Sequence, residues 1–390
     1  MKVVCVVTSS RADYGLLKPV VSKFSQEEDI DLRLVVTGSH LSNNFGLTKQ
    51  EITLDGFPIH KSIPILDEDP SIISTSRAMA KALIGFSHYF EENRPDILVV
   101  LGDRFEILAV CIAATNHRVP IAHIHGGETT EGAVDECFRH SITKMSYLHF
   151  AACETYRKRI IQLGEDPSRV FNVGSLGVEN VLRLPLLRPN ELAKDLNFSF
   201  DRPYIVVTIH PVTLEDRTEH RQCTELFKAL DHYPQWSVLI TKSNADCGGD
   251  TINRMIDTYV SARSNCKSFA SLGALRYLSV VKYAKFIIGN SSSGIYEAPA
   301  LGVPTINIGD RQKGRIRPDS VIDCDSDCNS IIEAIKFMHT SIFKNKMKTM
   351  INPYGVGEAS ANILKQIRCY LFKEKIYLKK KFFDIPFELE

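Results

Sequence analysis

The stretch Val119-Pro-Ile-Ala-His-Ile-His-Gly-Gly-Glu128, followed by Asp135-Glu-Cys-Phe-Arg-His140, gathers ionisable side chains just after an apolar run. Proton transfer needs such groups held close together on rigid elements. Asp103 of Gly102-Asp-Arg104 follows another proposed strand, which puts Asp103, Glu128, Asp135 and Arg139 on one plausible rim. Asp135 and Arg139 are four apart, so on a helix they can pair with each other or jointly present charge to a ligand. The competing readings are a surface ion pair for these two and a helix-capping carboxylate for Asp103. A second cluster, Gly289-Asn-Ser-Ser-Ser-Gly294 with Glu297, combines small side chains, hydroxyl donors and the start of a helix, which suits a phosphate or diphosphate. A plain N-cap accounts for one of those serines and leaves the others idle. Glu297 is expected on the first helical turn, where it can take both hydroxyls of a ribose or complement the helix dipole. Arg11, His210 and Arg311 fall in similar polar segments.

The elements that would position these residues are short, nearly continuous apolar runs, as in strands of a parallel sheet covered on both faces. Lys2–Thr8, Asp31–Thr37, Asp96–Leu101, Val119–Ile124 and Tyr147–Cys153 form one set, with helix-length gaps between them. A second set follows residue 190: Tyr204–Ile209, Trp236–Ile240, Lys285–Gly289 and Pro304–Ile308. Between the sets, Leu184-Pro-Leu-Leu-Arg-Pro-Asn190 carries two prolines that remove backbone donors. The expected architecture is α/β: two doubly wound Rossmann-like domains with an inter-domain cleft. Residues 1–187 form the catalytic domain and 188–362 the anion-binding domain, while 363–390 is a helix and tail packing back on the first. Open α/β sheets bind ligands beyond the carboxyl ends of their strands, and each polar cluster named above follows a proposed strand.

Composition removes several function classes. Lys plus Arg is 47 against 46 for Asp plus Glu, a formal charge of +1, so no long-range field favours nucleic acid or an anionic membrane. The run Lys379-Lys380-Lys381 reads as a solvated face. No segment reaches the roughly 18 uncharged apolar residues of a membrane span, and MKVVCVVTSS lacks the layout of a signal peptide. A cytoplasmic protein is expected. The ten cysteines are scattered without zinc-site spacing, which points to reduced structural thiols and no metal site. Neither Gly-x-Gly-x-x-Gly after the first strand nor a P-loop is present.

Read in order, Arg11-Ala-Asp-Tyr14, Thr37-Gly-Ser-His40, Gly102-Asp-Arg104, Ile124-His-Gly-Gly-Glu128, Arg139-His-Ser-Ile-Thr-Lys144, Gln162-Leu-Gly-Glu165, His210-Pro-Val-Thr213, Gly289-Asn-Ser-Ser-Ser-Gly294 and Gly309-Asp-Arg-Gln-Lys-Gly-Arg315 carry a specific likeness. The chain resembles the hydrolysing UDP-N-acetylglucosamine 2-epimerases that supply N-acetylmannosamine for sialic acid. It is most similar to their bacterial sialic-acid or capsule branch, down to Phe382-Phe-Asp-Ile-Pro386.

The resemblance implies a glycosyltransferase-B-like fold and a UDP-sugar substrate. Ser291 and Ser292 would hold the diphosphate with Arg11, Glu297 the ribose, and His210 and Arg311 the diphosphate and sugar side. Asn244, in Ser243-Asn-Ala-Asp246, would match another nucleotide-side motif. The implied reaction eliminates UDP to give a 2-acetamidoglucal and then adds water at C1, with a proton delivered to C2 from the opposite face. Asp103, Glu128 and Asp135 form the acid-base set and Arg139 the orienter. Many relatives have glutamate where this chain has His125, so either His125 or Glu128 takes that proton-transfer role. No cofactor is required, because elimination and hydration involve no net redox step, and a homodimer or homotetramer is expected. The alternatives are the same reaction on UDP-N,N′-diacetylbacillosamine for legionaminic acid, a non-hydrolysing epimerase, a UDP-sugar glycosyltransferase, and a non-catalytic UDP-sugar sensor.

Overall fold

Val-, Ile- and Leu-rich runs form the centres of two all-parallel sheets in the computed structural model. It describes residues 1–42, 47–67, 72–130, 134–211, 219–243, 249–270 and 272–386. The chain divides into two compact units, residues 1–180 with 354–390, and residues 181–353.

Unit 1 contains β1 (Lys2–Thr8), β2 (Ile30–Thr37), β3 (Ile59–Ile63), β4 (Ile97–Leu101), β5 (Ile121–Ile124), β6 (Leu148–Ala151) and β7 (Val170–Asn172) in the order β3-β2-β1-β4-β5-β6-β7. Alternate residues of β1 go to opposite faces. Val4 and Val6 pack with the Arg11–Ser25 helix, while Cys5 and Val7 pack with Phe86, Tyr89 and Phe90 of the Ile72–Glu92 helix. Both faces are covered, so the run stays apolar at every position.

Unit 2 repeats the plan with β8 (Tyr204–Thr208), β9 (Ser237–Thr241), β10 (Cys266–Phe269), β11 (Ile287–Gly289), β12 (Thr305–Ile308) and β13 (Val321–Cys324) in the order β10-β9-β8-β11-β12-β13. In each sheet the first strand in sequence lies between its successor and a later strand. The strand order therefore reverses at β1/β4 and at β8/β11, the places where open parallel sheets leave a crevice beyond their carboxyl ends.

The unit boundaries differ from the expected ones. Leu184, Leu186 and Leu187 pack on a core cluster of unit 2, so the double-proline segment belongs to that unit rather than dividing the two. The return to unit 1 comes at Tyr354, nine residues ahead of the expected 363. Tyr354 is fully buried, its carbonyl accepts the Ser175 N–H at 2.8 Å, and Ser360 N–H donates to Glu179 at 2.6 Å. The Ala359–Phe372 helix then lays Ile363, Ile367 and Leu371 onto the same core face as the Arg11–Ser25 helix.

Beyond that helix, Lys380 departs from the solvated reading. Its ammonium donates to the Ser146 carbonyl (2.6 Å), the Lys144 carbonyl (2.8 Å) and buried Glu165 (2.8 Å). Burial alone would raise the Glu165 pKa. The His149 hydrogen bond, with the ammonium groups of Lys144 and Lys380, outweighs it and holds the carboxyl below its ordinary range. His149 is itself pushed down by burial, so it serves as a neutral donor through Nε2–H, and the two lysines supply the charge.

Candidate active site

Beyond β4, the Gly102-Asp103-Arg104 turn leads into the Phe105–Asn116 helix. Arg104 occupies the N-cap position and Asp103 does not cap; its carboxylate pairs instead with the Arg139 guanidinium. Arg139 projects from the Asp135–Met145 helix, is only 3% exposed, and joins several segments. Nη1 donates to the Glu128 carbonyl (2.9 Å) and to Glu136, while Nη2 donates to Asp103 and to Thr130 Oγ1 (3.0 Å). Glu136 closes the network by accepting the Thr130 N–H at 2.7 Å. The planar guanidinium thus fixes Asp103 and the 128–130 loop together. Arg139 pairs with Glu136, three residues back, and not with Asp135, because Asp103 and Glu136 already occupy its fork.

Asp135 has no carboxylate-to-cation pair of its own among the described residues. Its pKa is raised, first by loss of hydration against neighbouring protein and next by the charge of Asp103, although Arg104 and Arg139 pull it back. Asp103 and Asp135 therefore differ in environment: one is ion-paired with Arg139, whereas the other has no such pair and its pKa is raised above the ordinary carboxylate value.

His125 follows β5 with φ of 63°, and Gly127 with φ of 76°. A Cβ on Gly127 would lie 2.4 Å from the Tyr156 carbonyl oxygen, so only glycine lets this loop pass close beneath the Glu154–Gln162 helix. His125 Nε2 accepts the Leu176 N–H at 3.5 Å, which places the ring proton on Nδ1, 3.6 Å from Glu128 Oε1. Burial holds His125 below its ordinary pKa despite the opposing pull of Glu128 and Asp103. The neighbouring His123, which burial pushes down to about 3, donates Nε2–H to the Gly102 carbonyl oxygen at 2.8 Å. It holds the turn that carries Asp103. Arg11 is exposed at the start of the helix after β1.

Unit 2 places the second cluster after β11. Gly289 has φ of 139°, and a Cβ there would come within 1.8 Å of the Thr208 carbonyl oxygen of β8. Asn290 is buried and clasps the His210 backbone, accepting its N–H at 2.7 Å and donating to its carbonyl at 2.8 Å. The Asn290 carbonyl in turn accepts from Arg311 Nη1 (3.0 Å) and Gln312 Nε2 (2.9 Å). His210, Asn290, Ser291, Ser292 and Arg311 are thus brought together at the β8/β11 reversal. Ser291 Oγ accepts the Ser293 N–H at 3.3 Å, and Ser292 takes the N-cap position without a side-chain cap bond.

Glu297 corrects an expectation. The helix begins only at Ser293, since Ser291 and Ser292 stay in the preceding turn, so Glu297 lies beyond the first turn and does not complement the dipole there. Its pKa is raised by burial against a smaller hydrogen-bonding effect of Ser293. Asn244, Val212 and Thr213 lie outside the described residues.

Glu136, Thr130 and His123 were not singled out by the sequence reading. Glu136 was open to detection from its three-residue spacing to Arg139. Among the described residues no helix is long and apolar enough to cross a membrane, and no group of three or more His, Cys, Asp or Glu is placed to hold a metal ion.

A family model described as UDP-N-acetylglucosamine 2-epimerase matches residues 22–368. Similar proteins include a GDP/UDP-N,N′-diacetylbacillosamine 2-epimerase (hydrolyzing) of Campylobacter jejuni, 42% identical over 87% of this chain and 88% of that one. Polysialic acid biosynthesis protein P7 of Escherichia coli is 41% identical over 99% and 98% of the two chains. A UDP-N,N′-diacetylbacillosamine 2-epimerase (hydrolyzing) of Legionella pneumophila is 34% identical over 95% of each. Among solved structures, a UDP-N-acetylglucosamine 2-epimerase from Listeria monocytogenes, described as putative, superposes with a TM-score of 0.79 at 17% identity. It covers 96% of this chain and 98% of that one, which shows a shared fold. The paired parallel sheets, the match over most of the chain and the three relatives agree: this chain belongs to the UDP-N-acetylglucosamine 2-epimerase family.

Proposed function

We propose that the protein is a hydrolysing 2-epimerase of a UDP-linked 2-acetamido sugar, releasing UDP and the free sugar inverted at C2. The observation that supports this reading is that Arg139-bound Asp103 lies close enough to Asp135 for its charge to raise the Asp135 pKa, with loss of hydration as the larger cause. A C2 proton is weakly acidic, so its removal must accompany departure of UDP from C1, and a second group must return a proton from the other face. Asp103 is assigned as a base and Asp135 as a proton carrier, with Arg139 fixing the Asp103 geometry. His125 and Glu128, 3.6 Å apart, are together assigned to the other proton transfer. In unit 2, Ser291, Ser292, His210 and Arg311 are assigned to the diphosphate, where positive charge and hydroxyl donors stabilise the departing UDP, and half-buried Glu297 to the ribose. Arg11 is assigned to the diphosphate as well.

The relatives bear on the sugar. Two of them, at 42% and 34% identity, are described as acting on N,N′-diacetylbacillosamine nucleotides, which favours UDP-N,N′-diacetylbacillosamine over UDP-N-acetylglucosamine as this chain's substrate and reverses the order expected from the sequence. The E. coli polysialic acid protein, similar over almost the full length, keeps UDP-N-acetylglucosamine as the second reading. Proton NMR in deuterated water with each nucleotide sugar separates them. The expected result is UDP and C2-deuterated free sugar, formed faster from the diacetylbacillosamine nucleotide. Preference for UDP-N-acetylglucosamine would select the second reading, an inverted sugar still attached to UDP would make the enzyme non-hydrolysing, and inactivity with both would sink the proposal.

A further inference from the structure

The amino-terminal end of the unit 1 sheet, opposite the Asp103 turn, holds a cavity of about 490 Å³. It is open to solvent and bordered by the segments entering β1, β4 and β5, by the end of the Ala359–Phe372 helix and by the segment that follows it. Its volume falls in the range of small-molecule sites, about 300–1,000 Å³. Lys2 and Asp96 are committed to each other at 2.9 Å. The remaining charged groups of the lining are Arg94, Arg118 and Lys375 against Glu374, and among the described residues none of the three cations has a carboxylate within ion-pairing distance. Tyr370 and Leu371 add a largely apolar wall.

The backbone at Arg118 points to a use for its side chain. The Phe105–Asn116 helix ends in a left-handed turn closed by Val119 N–H to the Ala114 carbonyl (2.8 Å) and Arg118 N–H to the Thr115 carbonyl (3.0 Å). Glycine is the residue that fills such a position without strain. Here it is Arg118, with φ of 54°, and its carbonyl accepts from Arg94 Nη2 at 3.0 Å. That bond ties the two arginines together at the mouth of one cavity. Guanidinium groups recognise carboxylate and phosphate through two parallel hydrogen bonds.

We propose that this cavity, with Arg118 and Arg94 at its mouth, is a binding site for a hexose-sized organic anion, separate from the UDP-sugar site. The arginines take the carboxylate or phosphate, and the Tyr370 and Leu371 wall takes the carbon skeleton.

The test titrates the full chain, saturated with UDP to occupy the nucleotide site, with glucose 6-phosphate, glucuronate and neutral glucose by calorimetry. Arg118→Gly and Arg94→Gln are run beside the unmodified protein. Binding of either charged sugar but not glucose is expected, and the stronger of the two identifies phosphate or carboxylate as the recognised group. Both substitutions should weaken that binding about tenfold or more, while Arg118→Gly raises the unfolding temperature by relieving the backbone. The proposal is overturned if neither anion binds, if glucose binds equally, or if either variant retains full affinity. A lowered unfolding temperature in Arg118→Gly would assign that side chain to the fold and overturn it as well.

Discussion

The carboxyl ends of the two sheets share a layout and differ in chemistry. In unit 1 the loops after β4 and β5 are tied by a buried guanidinium to two carboxylates, a carbonyl and a hydroxyl, so charge is fixed in place before any ligand arrives. In unit 2 the loop after β11 is tied by a neutral amide, Asn290, and presents serines with one arginine behind them. Glycine allows the close approach in both, Gly127 beneath Tyr156 and Gly289 against Thr208. The difference teaches that one plan can hold ion-paired carboxylates at one sheet and neutral hydrogen-bonding groups at the other.

The contrast yields an ordered set of outcomes. Asp103→Asn should lower turnover by about 10²–10⁴-fold while UDP binding stays near normal, as read by steady-state kinetics and calorimetry; a parallel loss of UDP affinity would erase the division of labour. Gly289→Ala should destabilise unit 2 by roughly 3 kcal/mol, seen in chemical denaturation, since its new Cβ meets backbone; hydrogen-exchange protection of β4 and β5 should persist. Ser291→Ala with Ser292→Ala should weaken UDP roughly 10²–10⁴-fold, taking about 1.5–3 kcal/mol for each of two hydrogen bonds to a charged group, and change turnover less than Asp103→Asn does.

The smallest effect concerns pH. The raised Asp135 pKa means that its protonated form is compatible with folding and its ionised form is not as well tolerated. Stability is therefore lost as pH rises from the ordinary carboxylate value through the higher folded-state value. Asp135→Asn should raise the melting midpoint at pH 7 by about 1 °C, a small shift because solvent screens an accessible carboxylate. The gain should vanish below about pH 4, even though activity is lost. Equal midpoints at both pH values would remove the contrast between Asp135 and Asp103.

The strands legible in the sequence were the interior ones. β3, β7, β10 and β13 were missed, and these are the edges of the two sheets. His60, Lys61 and Ser62 of β3 are exposed, and no β13 residue is fully buried, so the continuous apolar run that marks a doubly covered strand is absent there. At the candidate site, residue types and positions after strands were legible, because they follow from local order. The partner of Arg139 was not, since the choice between Asp135 and Asp103 depends on where β4 ends in space. The start of the helix before Glu297 was misplaced because three successive serines offer equivalent caps in a sequence.

Unit 1 is built from both ends of the chain, with unit 2 inserted whole. During synthesis, unit 2 emerges from the ribosome ahead of the Ala359–Phe372 helix. Until then the core face that takes Ile363, Ile367 and Leu371 stands uncovered beside the Arg11–Ser25 helix. The half assigned to UDP can thus begin to fold first, while the half to which the acid-base residues are assigned waits for that helix and for Lys380 to reach buried Glu165.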